Sequence, residues 1–126
     1  RAATREVVGD VRRRWESDRA AFEERFAAIG QLVQQARRAM ADGNLPELGR
    51  LMDANQRELA AIGTSSHELE HLIAAACTAG ALGAKLSGSG RGGNMIALAA
   101  DEQAGRAIQA ALEAAGARAT ILTQVT

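Results

Sequence analysis

From residue 4 to residue 80 apolar side chains recur at offsets of three, four and seven, the spacing of one helical face. Val7, Val8, Val11 and Trp15 define a first face, and Phe22, Phe26, Ile29, Val33 and Met40 a second. Helices are predicted near residues 4–17 and 19–42. Asp42-Gly43-Asn44 breaks the pattern, and Asn44-x-x-Glu47 with Pro46 in the first turn starts a third helix. Its stripe is Leu48, Met52, Asn55, Leu59 and Ile62, and Gly63 stops it. Ser65-x-x-Glu68 has the form of a capping box, opening a fourth helix to about Ala79 that buries Leu69, Leu72, Ile73 and Ala76. Gly80 ends that helix.

Beyond Gly80 the texture changes. Residues 84–87 and 95–99 are short apolar runs that read as two strands joined across a glycine-rich loop. Asp101 caps a fifth helix with Ala104, Ala107, Ile108, Ala111 and Leu112 facing inward and Gly116 at its end. Residues 119–125 alternate threonine with Ile121, Leu122 and Val125 and are expected to close the chain as a strand. The fold class is therefore α+β, with helices packed on a small antiparallel sheet.

Composition narrows the function. The 126 residues are one domain's worth of chain, able to bury about two-thirds of its unfolded surface. Fifteen basic and fifteen acidic residues cancel, so no net field draws nucleic acid or an anionic membrane to it. Trp15, Phe22 and Phe26 are the only aromatics, too few and too clustered to stack bases. The charges around Arg12–Arg14, Glu23, Glu24 and Arg25 alternate in sign, as on solvated helix faces. Cys77 is the single cysteine, and no apolar run approaches roughly 18 residues, so a reducing, cytoplasmic setting is expected, with no membrane partner. The chain begins at Arg1 directly in helical pattern, and is expected to be part of a longer protein.

Three motifs compete for chemical meaning. His67-Glu68-Leu69-Glu70-His71 matches the zinc-peptidase pattern H-E-x-x-H. At about 100° per residue, however, both histidines lie opposite the stripe of Leu69, Leu72, Ile73 and Ala76 and face solvent. No further histidine exists as a third ligand, so no metal site is expected. Gly88-Ser89-Gly90-Arg91-Gly92-Gly93 satisfies G-x-G-x-x-G, but Asn94-Met95-Ile96-Ala97-Leu98 follows as a strand where a dinucleotide fold needs a helix. A Walker loop fails as well, because Lys85, the only lysine, precedes the loop instead of ending it. A tight hairpin turn needs one or two glycines. Four glycines within six residues, flanked by Ser87 and joined by Ser89 and Arg91, exceed that need and fit a backbone-lined anion seat.

Those residues carry a family resemblance. The string Ala79-Gly80-Ala81-Leu82-Gly83-Ala84-Lys85-Leu86-Ser87 followed by Gly88–Gly93 is similar to the third motif of the GHMP small-molecule kinase superfamily. Supporting segments are Thr4-Arg5-Glu6-Val7-Val8, Leu51-Met52-Asp53-Ala54-Asn55-Gln56, Ile62-Gly63-Thr64-Ser65-Ser66 and Glu68-Leu69-Glu70-His71-Leu72. Within the superfamily the chain most resembles the prokaryotic mevalonate kinases. The resemblance implies a ferredoxin-like C-terminal domain, spanning residues 1–126, of a two-domain enzyme that moves the γ-phosphoryl group of ATP to mevalonate with Mg²⁺. It implies that Gly88, Ser89, Gly90, Arg91, Gly92 and Gly93 form the phosphate loop of the active-site floor, where a nest of N–H groups suits charge spread over a transferring phosphoryl group. Arg91 departs from the glycine or alanine of many relatives, and contact with phosphate and projection into solvent are equally open for it. Asn55 interrupts an apolar stripe, either as a satisfied core amide or as a contact in the substrate cleft.

Nothing in the chain matches the family's first phosphate loop or its catalytic acid and lysine, so the resemblance implies no catalytic residue here, no tightly bound cofactor and no activity for this part alone. Relatives also have a strand just upstream of the position of Arg1. An unfilled sheet slot would expose an edge, and association with a second copy is expected to cover it. Two alternatives stand beside this reading: another kinase of the superfamily, acting on phosphomevalonate, mevalonate at its 3-position or homoserine, and a free-standing ferredoxin-like regulatory or dimerisation module that senses a small anion.

Overall fold

A computed structural model describes residues 4–88 and 93–124. Five helices and one hairpin follow in the order α1 (Thr4–Ser17), α2 (Arg19–Ala41), α3 (Leu45–Ala61), α4 (His67–Thr78), β1 (Gly83–Ser87), β2 (Asn94–Leu98) and α5 (Glu102–Ala114). Each start after the first has a side-chain cap that takes up an otherwise orphaned amide. Asp18 accepts from Ala21, Asn44 from Glu47 at 3.2 Å, Ser66 from Leu69 at 3.2 Å, and Asp101 from Ala104 at 2.8 Å. The capping residue of α4 is thus Ser66, one position later than Ser65-x-x-Glu68 implied. Ser65 is instead drawn toward Glu70, whose Oε1 accepts from its hydroxyl at 2.7 Å.

The hairpin is antiparallel, with Gly83 opposite Leu98 and Ser87 opposite Asn94. Its inner face carries Ala84, Leu86, Met95 and Ala97. Ala84 packs on Ile73 and Ala76 of α4 and on Ile108 and Leu112 of α5, and Met95 and Ala97 flank that core. The opposite face pairs Lys85 with the half-exposed Ile96. Burial on α5 falls on Gly105, Ile108 and Leu112, while Ala107 is exposed; the glycine takes the inward place because Leu122 lies against it.

Two further expectations fail. On α2 the buried positions are Phe22 and Ala39, and Phe26, Val33 and Met40 are exposed, as is Val8 on α1. Ile29, Leu32 and Ala36 are half-buried, on a line about a sixth of a turn from the exposed Phe26, Val33 and Met40. Residues 119–124 form no strand. Strand propensity expresses itself only against a partner edge, and this segment is held by a Leu122 contact on Gly105 and a Thr120 hydroxyl on Glu113 at 2.9 Å, with Ile121 fully in solvent. Val125 lies outside the described residues.

Candidate functional site: the hairpin loop and its support

Gly80, at φ +105°, turns the chain out of α4 and delivers it to β1. One edge of β1 is laddered to β2. The other edge is covered by α3, which runs alongside in the same direction. At the start the two backbones nearly touch: a Cβ on Gly49 would sit 2.2 Å from the Leu82 carbonyl oxygen, and one on Gly83 would sit 2.1 Å from the Gly49 oxygen. Further along, Asp53 Oδ1 accepts from the Ala84 amide at 2.9 Å and Gln56 Oε1 from the Leu86 amide at 2.8 Å. Three helical residues advance about 4.5 Å whereas two strand residues advance about 6.6 Å. The longer glutamine stem makes up the difference, so alternate strand amides meet successive polar side chains of one helix.

Gln56 is buried at 5% exposure. Its amide nitrogen donates to Glu70 Oε1 at 2.9 Å and to Ser65 Oγ at 3.2 Å. This places a closed ring of Gln56, Ser65 and Glu70 between the α3–α4 corner and the strand. The ring and Asp53 escaped the sequence reading, which took Asn55 as the notable polar residue of α3. The one signal for them was the polar pair Asp53 and Gln56, three apart, on a helix otherwise read for its apolar stripe.

Beyond Leu86 the chain enters the glycine loop. Gly88 has φ +79°, a conformation that side chains disfavour. Ser89, Gly90, Arg91 and Gly92 lie outside the described residues; Gly93 is half-buried where the chain rejoins β2. The loop therefore links strand to strand, with no helix at its exit. Beside Gly88 opens an apolar cavity of about 260 Å³, lined by Val7, Val8, Val11, Leu59, Thr64 and Leu86. Thr64 donates its hydroxyl to the Leu59 carbonyl at 2.8 Å, which leaves its oxygen lone pairs able to accept. Asn55 is not among the lining residues. Its Oδ1 is buried and accepts no hydrogen bond among the described residues.

His67, Glu68 and His71 are exposed on α4, as their helical angles required. Among the described residues no three His, Cys, Asp or Glu side chains converge as a metal would need. Lys85 donates its ammonium to the Leu86 carbonyl at 3.0 Å, and burial pushes its pKa down. Cys77 is exposed; partial desolvation of its thiol, with the Asp53 carboxylate adding, pushes its pKa up and away from the reactive thiolate. No helix among the described residues is long and apolar enough to cross a membrane.

Five helices with a strand–glycine loop–strand hairpin are the architecture of a family of small-molecule kinase domains. Residues 20–118 match the family described as GHMP kinases C terminal, and the chain belongs to that family. Its relatives include the mevalonate kinase of Pyrococcus horikoshii, 40% identical over 119 residues covering 90% of this chain and 35% of that protein. The mevalonate kinase of Thermococcus onnurineus is 40% identical over 106 residues, 80% of this chain and 32% of that protein. Among solved structures, mevalonate kinase of L. major in complex with R-mevalonate superposes with a TM-score of 0.87 at 41% identity, covering 90% of this chain and 35% of that one. The chain spans about a third of the length of the curated relatives it matches. The expected fold class, helices on a small antiparallel sheet as in this family's C-terminal domain, is what the structure has.

Proposed function

We propose that this chain is the C-terminal domain of a two-domain, mevalonate kinase-like enzyme that transfers the γ-phosphoryl group of ATP to mevalonate. The observation that carries the reading is the hairpin of two paired strands joined across the glycine-rich segment, with Gly88 at the apolar cavity lined by Thr64 and Leu86. In this reading Gly88, Ser89, Gly90, Arg91, Gly92 and Gly93 wall the phosphate end of the site with backbone N–H groups. The aliphatic part of the acceptor lies toward Val7, Leu59 and Leu86, and Thr64 accepts from a hydroxyl. The open Asn55 acceptor takes a donor from outside the described residues.

ATP and Mg²⁺ act in the parent enzyme. Phosphoryl transfer needs the nucleotide, the metal and a positioned hydroxyl together, and the domain by itself is inactive. The outer edge of β2 has no strand partner among the described residues; in the isolated domain, without the strand that relatives carry upstream of the position of Arg1, a second copy is the occupant proposed for the open sheet edge. A monomer mass independent of concentration in solution scattering would sink that part.

The test is a coupled ADP-release assay on the full-length protein with mevalonate, phosphomevalonate and homoserine as acceptors. Mevalonate-dependent turnover is expected, and turnover confined to another acceptor moves the assignment within the family. Titration of the isolated domain with ATP and Mg²⁺ is expected to give weak or undetectable binding. Micromolar affinity would support a free-standing anion sensor instead.

A further inference from the structure

The loop proposed to face phosphate is fed by β1, whose last residues before Gly88 are Leu86 and Ser87. Where the chain leaves that strand sets where the loop begins. We propose that Gln56 is a positioning residue for that loop, holding the Leu86 amide and so setting where the chain leaves β1. The inference rests on the reading of residues 88–93 as phosphate wall.

Leu86 is two residues before Gly88, and its N–H is the last on the α3 side of β1 with a side-chain acceptor. The Gln56 amide has a single workable orientation. Leu86 N–H requires the oxygen, and the Glu70 carboxylate, an acceptor when ionised, requires the nitrogen. The far end of the amide is locked in turn, because Ser65 donates to the same Glu70 oxygen. The strand edge is thereby tied through one buried side chain to the first turn of α4, whose Leu69 is 1% exposed in the core. An amide is required at position 56. A glutamate would still accept from Leu86 but would bring a second carboxylate to within hydrogen-bond distance of Glu70.

The experiment uses the full-length kinase and three variants: Gln56→Glu, the exchanged pair Gln56→Glu with Glu70→Gln, and the milder Ser65→Ala. Two readouts are taken, deuterium uptake of the segment 82–88 and steady-state turnover. Gln56→Glu is expected to speed uptake in that segment and to lower kcat about 100-fold, the scale of a loop misplaced by about 1 Å. KM for the acceptor should change little. The exchanged pair restores a donor facing an acceptor and should recover most of both losses, and Ser65→Ala should move both in the same direction by about threefold. Wild-type uptake in Gln56→Glu would overturn the proposal. So would faster uptake with kcat unchanged, or a failure of the exchanged pair to recover activity while it folds. A wild-type protein that transfers no phosphoryl group would instead overturn the assignment of the enzyme, an outcome the uptake data keep separate from the tie between Gln56 and Leu86.

Discussion

Residues 83–87 and 119–124 are both short and suited to extended structure, yet only the first is a strand. β1 has a partner on each edge: the β2 backbone on one, and Asp53 and Gln56 of α3 on the other. The tail offers the richer alternation of threonine and aliphatic residues but touches the body through little more than Leu122 and Thr120. Strand formation in this chain is decided by what satisfies the backbone, and β-propensity ranks the two segments the wrong way round.

The sharpest way to break that contrast is to push α3 off β1. Gly49→Ala or Gly83→Ala would drive a methyl into backbone atoms little more than 2 Å away, which nothing nearby can yield to. A loss of about 3 kcal/mol or more is expected, read as a fall in the denaturation midpoint. Gly30→Ala on α2 is the control, since nothing lies within 4 Å of its Cβ position, and it should gain up to about 1 kcal/mol.

Removing one tie is the next largest effect. Asp53→Ala leaves the Ala84 amide without its acceptor and should cost about 1–3 kcal/mol, whereas Asp53→Asn keeps an oxygen in place and should cost less. Chemical denaturation of the pair tests this, and equal losses would mean that carboxylate charge matters more than the hydrogen bond. Truncating the tail contact with Leu122→Ala should cost at most about 1 kcal/mol, because that side chain is already 40% exposed. A larger loss would show that the tail contributes more to the fold than its contacts indicate.

The smallest expected effect concerns the charge on β1. Burial lowers the Lys85 pKa below its unfolded value, so folding disfavours the ammonium form. The penalty is complete below the folded pKa and is relieved as pH rises toward the ordinary lysine value. Lys85→Met should therefore be slightly more stable than the wild type at neutral pH, and the gap should close in the alkaline range. Melting temperatures measured from pH 7 to about pH 10 check it, and a gap that widens with pH would contradict the sign.

Much of this was legible because it is local. The helix ends at Asn44, Gly63, Gly80 and Asp101, the solvent-facing histidines of α4 and the strand–loop–strand hairpin all follow from spacings of a few residues. Where the reading slipped, two local solutions were close in energy. Ser65 and Ser66 are both competent caps, and Phe26 and Phe22 both belong to an apolar pattern on α2. Neighbouring elements chose between them.

The sequence by itself determined the number and order of the helices, their capped ends, the hairpin and the glycine-rich character of its loop, since each depends on side chains within one or two turns of each other. The tertiary structure alone decided that α3 covers the edge of β1, that Gln56 and not its neighbour Asn55 spans the gap, and that the tail stays out of the sheet. Those outcomes join residues about thirty positions apart, such as Gln56 and Leu86. No local preference marks which buried amide will meet which strand N–H until packing brings the two backbones together.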